Sequence, residues 1–244
     1  MKFQEITNTL FAHPTLKIIQ RPDMFNYSLD SVMLASFVQM SKAITEVLDL
    51  GSGFAPIPIL LAHHYPSVHV HGVELQSDVC EIAWRNVELN GMASSISIVN
   101  GNIKDTPRRF GNQSFDMVVC NPPFFKHRPS SNVNASQYKT IARHEVSITL
   151  EEIVKTAKIV LKHKGRFVLV HRAQRLGELI RTLSMGGFGI KRMRFVHPRE
   201  NEPAQMVLVE ARKASNDHVH VASPLYVHSG TGYHPDMQEL FKSE

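Results

Sequence analysis

The sequence predicts an α/β protein whose parallel sheet is covered by helices on both faces. Short apolar runs alternate with helical segments along most of the 244 residues, and the first of these runs opens into a glycine-rich loop at Gly51-Ser52-Gly53. Alternating strands and helices imply parallel pairing, because a crossover helix returns the chain to the same end of the sheet. A hydrophobic content of 43% and a charged content of 20% are ordinary for such a domain.

Each predicted element has a local signal. The first helix begins at about Ser28, a plausible N-cap. Pro56 and Pro58 fit the first turn of the next helix, where backbone N–H groups have no intrahelical partner. Ser77 could cap the third helix, and Asn90-Gly91 would end it. The predicted strands are 45–50, 68–74, 95–99, 114–120, 165–171, 188–197 and 204–212, and the later predicted helices are 56–65, 77–90, 149–162 and 173–185.

The glycine-rich loop has the pattern of a nucleotide-cofactor site. Its glycines permit a tight turn and close approach of the backbone to a ligand. The next predicted strand ends in Glu74, 21 residues after Gly53. A carboxylate at that distance can accept hydrogen bonds from both hydroxyls of a ribose. The loop and the acid alone would also fit NAD.

A rigid turn, Asn121-Pro122-Pro123-Phe124, directly follows the apolar run 115–120. The two prolines fix the backbone and remove two donors. The Asn side-chain oxygen and a backbone carbonyl can then accept the two N–H bonds of a planar amino group, and the aromatic ring can stack on it. Such acceptors favour the tetrahedral geometry that an exocyclic amine must reach to attack a methyl group. The turn therefore indicates methyl transfer from S-adenosylmethionine to an adenine, a guanine or a carboxamide.

With these motifs the chain resembles class I S-adenosylmethionine-dependent methyltransferases of the Asn-Pro-Pro-aromatic group, and among them the bacterial tRNA1(Val) adenine-37 N6-methyltransferases. Further segments that carry the resemblance are 16–20, 25–35, 142–145, 194–198 and 204–211. The resemblance implies a Rossmann-like class I methyltransferase fold with a seven-stranded, mostly parallel sheet and a last antiparallel strand. The chain departs from the family pattern at Ala55, where a third glycine is frequent, at Asn102, where Asp is common, and at Phe124, where many relatives have Tyr.

The resemblance and the motifs together give the candidate site. The candidate catalytic residues are Asn121, Pro122 and Phe124. The candidate cofactor-binding residues are Asp30, Asp49, Gly51, Gly53, Glu74, Asn102 and Asn121. The candidate substrate-binding residues are Phe124, Phe125, Lys126, Arg128 and Arg143, the last three in a polar stretch that we interpret as a substrate lid. Residues 1–40 would form an extension packed over the cofactor site, and residues 41–244 would form the methyltransferase domain.

Composition and charge favour an RNA partner. The net charge is +5, but residues 1–120 hold 8 Lys and Arg against 11 Asp and Glu, whereas residues 121–244 hold 19 against 11. An uneven positive charge suggests a polyanion approaching the second half. No apolar run is long enough to span a bilayer, and the first residues lack a signal-peptide pattern. The chain has two cysteines and 14 histidines, but their spacing does not match that of a zinc site. We therefore expect a cytoplasmic enzyme, with a monomer favoured, that binds neither metal nor membrane.

Three alternatives remain at this point. A protein glutamine-N5 methyltransferase could use the same acceptors on a carboxamide, although it would not need a basic second half. An rRNA guanine-N2 methyltransferase would share both motifs. A non-catalytic RNA-binding relative is disfavoured by the intact Asn121 and glycine-rich loop.

Overall fold

The computed structural model describes residues 4–10, 13, 15–24, 28–122 and 148–242. In these residues, strands and helices alternate through the middle of the chain as the sequence predicts, although the short helix Thr106–Phe110 was not predicted. The strands are β1 (Ile6–Thr9), β2 (Lys17–Gln20), β3 (Glu46–Leu50), β4 (His69–Glu74), β5 (Ile96–Asn100), β6 (Phe115–Cys120), β7 (Leu161–Arg172), β8 (Phe188–His197), β9 (Met206–Lys213), β10 (His220–Val221), β11 (Leu225–Tyr226), β12 (His228–Ser229) and β13 (Gly232–Tyr233). The helices are α1 (Leu29–Phe37), α2 (Pro56–His64), α3 (Ser77–Leu89), α4 (Thr106–Phe110), α5 (Leu150–Val160), α6 (Leu176–Met185) and α7 (Pro235–Lys242).

The central sheet confirms the predicted fold class. Its strand order is β5-β4-β3-β6-β7-β9-β8. Strand β9 runs antiparallel to both β7 and β8, while β3 to β7 pair in parallel. These seven strands are the predicted sheet with its antiparallel last strand. Two short strands that the sequence did not indicate, β10 and β11, add to it by pairing in parallel with β8.

Helices cover both faces of this sheet. Along β3, Val47 belongs to the apolar cluster beneath α1, α2 and α3, whereas Leu48 belongs to the cluster beneath α5 and α6. Successive side chains of a strand point to opposite faces, so a strand covered on both sides must be apolar at every position. Both residues are fully buried.

Helix α1 is fastened to the far edge of the sheet by Arg192 of β8. The Arg192 guanidinium lies over the Phe37 ring, 3.9 Å from its centroid, and donates to the carbonyl of Phe37. It also donates to Glu210 Oε2 over 3.1 Å. The cation thus satisfies the carboxyl-terminal end of α1, where unpaired carbonyls carry partial negative charge. Arg166 of β7 adds a bond to the carbonyl of Gln39, at 2.9 Å.

The amino-terminal hairpin of β1 and β2 docks on α3 through two asparagines. The Asn86 amide accepts from Ile19 N over 2.6 Å and donates to Ile19 O over 3.0 Å. Asn90 makes the same pair of bonds with Lys17. The hairpin was not predicted, because no hydrophobic alternation marks it. Within residues 1–40, α1 packs against α2, and strand β2 of the hairpin packs against α3. The packing of this segment over the cofactor site stays a prediction.

Several element ends differ from the sequence prediction. Ser77 lies inside α3 and Gln76 is the N-cap residue, so Ser77 does not cap the helix. Ser28 does precede α1, but its hydroxyl bonds to Asp30 instead of a backbone amide. Helix α5 begins with a capping box between Thr149 and Glu152.

In the described part of the chain, no helix is long and apolar enough to cross a membrane. Over the same residues, no group of three or more His, Cys, Asp or Glu is placed to hold a metal ion. Cys80 and Cys120 are both buried and free.

Candidate functional site

A cleft opens where the parallel strands β3, β4, β5 and β6 end. It spans about 1030 Å³, including the part open to solvent. Open α/β sheets bind ligands at this edge, because the loops that follow neighbouring strands converge there. The polar and loop residues around the cleft are Ser31, Gly51, Ser52, Gly53, Glu74, Gln76, Asn102, Asn121 and Pro122, and its apolar walls include Leu75, Val79, Ile103, Ile148 and Ile153.

The glycine-rich loop turns sharply under the cleft. Gly51 has φ 82° and Gly53 has φ 54°, in the left-handed region that glycine enters without strain. The amides of Gly51 and Ser52 both donate to the carbonyl of Val73, at 2.9 and 3.0 Å, and so fix the loop to β4. Ala55 also has a positive φ, of 65°. Ala55, the third small residue of the motif, is thus the N-cap of α2 in a left-handed conformation. Glycine, which is frequent at this position in the family, would adopt that conformation without strain.

Glu74 connects this loop to the end of β4. Its Oε2 accepts from Gly53 N over 3.0 Å, and its Oε1 accepts from Gln76 N over 2.9 Å. Burial raises the pKa of Glu74, although these two amide bonds oppose the rise. An ionised carboxylate offers about four acceptor positions. The acceptor positions not used by these amides are available to the hydroxyls of a ribose, which is the role expected from the sequence.

Asp49 lies beneath the loop, at the end of β3. It is fully buried, and neither oxygen of its carboxyl has a hydrogen-bond partner within the described residues. Burial raises the pKa of Asp49 to about 8; the nearby Ser52 side chain opposes the rise, and the neighbouring charge of Glu74 adds to it. Asp49 is not among the residues that line the cleft. A buried, unpaired carboxyl under a ligand site costs stability unless a cation compensates it.

Asn121 ends β6 with its side chain held in one orientation. Its Nδ2 donates to the Ser31 hydroxyl over 3.3 Å. Its Oδ1 is buried and has no donor among the described residues. Because the amide nitrogen is engaged by Ser31, the oxygen is the atom left to accept a bond from a ligand. Ser31 was missed by the sequence interpretation, which named its neighbour Asp30.

Asn102 lies at the cleft, after β5. Its Oδ1 accepts from Lys104 N over 2.9 Å and so caps a short 3-10 helix, Ile103–Asp105. The oxygen is thus turned to its own backbone, and the amide nitrogen is the group available to a ligand. Ile103 beside it, with Ile148 and Ile153 from the start of α5, gives the cleft apolar walls suited to a planar ring. These isoleucines had no motif to reveal them.

The remaining predicted residues fall into two groups. Asp30 lies next to Ser31 on α1 but does not line the cleft. Burial raises the pKa of Asp30, although a hydrogen bond from Ser28 and the charge of Arg172 oppose the rise. Phe124, Phe125, Lys126, Arg128 and Arg143, with the proposed lid and the second proline of the turn, lie outside the described residues.

The cleft residues fit a nucleoside cofactor that carries a cation. Glu74 has acceptor positions for a ribose, and the isoleucine walls suit a base. Beneath the cleft, the buried carboxyl of Asp49 lacks a positive partner. The unpaired Asn121 oxygen adds an acceptor for the N–H of a second molecule. These groups are compatible with methyl transfer from a sulfonium to an amine, and the described residues supply no strong general base beside Asn121.

The family comparison agrees with this chemistry. The model of the methyltransferase small domain family matches residues 15–183. A Porphyromonas gingivalis protein named tRNA1(Val) (adenine(37)-N6)-methyltransferase is 29% identical over 232 residues, covering 92% of this chain and 90% of the relative. A protein of the same name from Vibrio parahaemolyticus is 27% identical and covers 87% of this chain and 85% of its own length.

Solved structures support the fold. A predicted O-methyltransferase from Agrobacterium tumefaciens superposes with a TM-score of 0.70 at 23% identity, covering 88% of this chain and 96% of that one. A geranyl diphosphate methyltransferase in complex with S-adenosylmethionine gives a TM-score of 0.54 at 13% identity, covering 75% of this chain and 84% of its own. At these identities the likeness concerns the fold, and the acceptors named for these enzymes say nothing of this chain's acceptor.

Proposed function

Since this chain belongs to the methyltransferase small domain family, we propose that it transfers a methyl group from S-adenosylmethionine to N6 of adenine 37 in the anticodon loop of a tRNA. The observation that carries the proposal is the buried, unpartnered Oδ1 of Asn121 at the cleft. The adenine-N6 acceptor also agrees with the names of relatives that align over about nine-tenths of the chain. A tRNA substrate implies action in the cytoplasm, and we expect a monomer.

The cofactor would be held by the glycine-rich loop and the two acids beside it. Gly51 and Gly53 let the backbone approach the methionine part, and Glu74 accepts bonds from the ribose. Asp49 is the buried acid beneath the loop that would compensate the charge of the methionine ammonium, Asp30 would assist from α1, and Asn102 would lie at the adenine edge. When bound, S-adenosylmethionine supplies an electrophilic methyl group on a sulfonium.

The target amine would be held by the turn after β6. The Asn121 side-chain oxygen and the Pro122 carbonyl accept its two N–H bonds, and the Phe124 ring stacks on the base. These bonds position the amine and favour its tetrahedral form; positioning of this kind accounts for much of the rate gain in enzymes without an acid or base. A base in an anticodon loop is easier to extrude than a paired one. The amine becomes acidic on methylation, and its proton passes to solvent.

The direct test is product identification. The purified protein would be incubated with labelled S-adenosylmethionine and a tRNA transcript that lacks modification, and the digested RNA would be examined by mass spectrometry. We expect labelled N6-methyladenosine at position 37. Labelled N2-methylguanosine, or label in protein instead of RNA, would overturn the choice of acceptor.

The role of Asn121 has its own test. Asn121→Ala should lower kcat by about 100-fold or more, the scale of losing one group that stabilises the transition state. Cofactor affinity, measured by calorimetry, should stay within about twofold, because Glu74 and the loop are untouched. Asn112→Ala, at an exposed asparagine, is the matched control. Retained activity in Asn121→Ala would refute the mechanism.

A further inference from the structure

Positive charge is concentrated in one stretch of this chain. Residues 150–191 hold nine Lys and Arg against three Glu, a balance of +6. All other residues hold 18 basic against 19 acidic side chains, a balance of −1. The net charge of the protein therefore comes from α5, β7, α6 and the start of β8, and not from the whole surface.

Within this stretch, three exposed cations face a groove between α5 and α6, whereas exposed Lys164 lies outside it and donates to the carbonyl of Ala214. Lys155 and Lys158 project from α5 and Arg181 from α6, and all three line the groove. Each is exposed and has no ion pair among the described residues. The groove's acids are Glu178, whose charge is neutralised by Arg175 at 2.8 Å, and Glu151.

Lys158 of the groove lies close to a second cation, Lys213, whose Nζ donates to the carbonyl of Leu161. Burial lowers the pKa of Lys213, and the positive charge of Lys158 lowers it further. Lys158 Nζ also lies near the Gly187 turn, 3.2 Å from where a β-carbon would stand. A bound anion would relieve this repulsion, because an opposite charge favours the charged form of a lysine.

Helix α5 contributes residues to both the cleft and the groove. Ile148 and Ile153, before and within the first turn of α5, line the cleft, and Lys155 and Lys158 follow on the same helix. With 11 residues, α5 is about 16 Å long. A polyanion with one base in the cleft can thus lay its backbone along the groove.

We propose that the groove between α5 and α6 binds the sugar-phosphate backbone of the RNA substrate outside the target loop. This inference rests on the proposed function, because it names a second contact surface for the same RNA. Lysine and arginine contacts to phosphate supply affinity and register, while the choice of base remains with the cleft. Met185 at the far end of the groove is exposed, and an apolar side chain beside cations would also suit an acidic protein partner, which is the competing occupant.

The test compares two triple variants of equal charge. Lys155→Ala/Lys158→Ala/Arg181→Ala removes the groove cations. The control, Lys17→Ala/Lys42→Ala/Arg108→Ala, removes three exposed cations that have no ion pair among the described residues and lie on β2, before β3 and on α4. Binding of unmodified tRNA would be measured by fluorescence anisotropy over a series of KCl concentrations, together with kcat and KM for methyl transfer.

Each lost phosphate contact lowers the slope of log Kd against log salt by about 0.7 to 0.9, so the groove variant should lose about 2 to 3 in slope. Its KM for tRNA should rise ~10-fold or more while kcat stays within about twofold. The control should match wild type. A groove variant indistinguishable from the control in slope and KM would overturn the proposal and leave the groove to a protein partner. Failure of wild type to methylate tRNA would instead count against the proposed function, and the binding slopes would still decide on the groove.

Discussion

Replacing Ser31 by alanine is expected to slow methyl transfer without releasing the cofactor. The Ser31 hydroxyl accepts the bond from Asn121 Nδ2 at 3.3 Å. Without it, the amide of Asn121 can rotate about its terminal torsion, which has two broad wells. In one well the amide oxygen faces the target amine, and in the other the nitrogen does. Only the first arrangement accepts the N–H bond.

The size of the effect follows from the bond that is lost. A bond of 3.3 Å is at the long end of the usual range, and such bonds contribute about 0.5 to 1.5 kcal/mol. That energy corresponds to a kcat lower by about 2-fold to 12-fold. Single-turnover methyl transfer to unmodified tRNA, at saturating S-adenosylmethionine, measures it directly. Cofactor affinity, followed by calorimetry, should change by less than about twofold.

A matched control exists on the same helix. The hydroxyl of Ser36 donates to the carbonyl of Met33 over 2.9 Å and does not line the cleft. Ser36→Ala tests whether loss of any α1 hydroxyl slows the reaction by loosening the helix. The reasoning is refuted if Ser31→Ala retains wild-type kcat, or if the two variants lose kcat equally.

Three further variants test the surroundings of the site. Glu74→Gln should weaken cofactor binding by about 10-fold or more, because a hydrogen bond to a charged group contributes about 1.5 to 3 kcal/mol; calorimetry checks it, and unchanged affinity would exclude Glu74 as the ribose ligand. Gly72→Ala would put a β-carbon 2.4 Å from Ser52 Oγ, and the resulting shift of the loop should cost about 1 to 3 kcal/mol, visible as a lower Tm. Asp49→Asn should stabilise the cofactor-free protein at pH 7 by up to about 4 kcal/mol. The raised pKa keeps Asp49 protonated in the folded protein at this pH, whereas Asp49 ionises in the unfolded chain and so favours unfolding. The wild type therefore loses stability as the pH rises from about 4 to 8, so the gain should vanish below pH 4 in urea unfolding; a gain independent of pH would contradict the argument.

The fold could be predicted from the sequence where local pattern and tertiary environment agree. Strands buried on both faces read as apolar runs, so β3, β4 and β6 were predicted to within a residue. The end of α5 was predicted two residues late, because Leu161 continues the apolar pattern while its backbone is already extended. The two-residue strands beside β8 could not be predicted, since their pairing depends on the shape of the sheet edge and on no repeat of their own.

The candidate site could be predicted only where its functional residues are consecutive in the sequence. The glycine-rich loop and the turn at Asn121 are local motifs, and the cleft contains both. Ser31 is 90 residues from its partner Asn121, so no spacing rule connects them. Asn102 could be located but not oriented, because the bond from Lys104 N that turns its oxygen away depends on the backbone of the turn.

The Arg192 contact with α1 has a consequence for the order in which the protein folds. It joins residues 155 positions apart, and the Arg166 bond to Gln39 joins residues 127 apart. Contacts so distant in sequence form late, since a long loop must close before they stabilise anything. On the ribosome, α1 can pack against α2 early, but its carboxyl-terminal end is held at the sheet edge only after β8 has emerged. The helix that carries Ser31 therefore gains its last long-range contacts when most of the chain is complete.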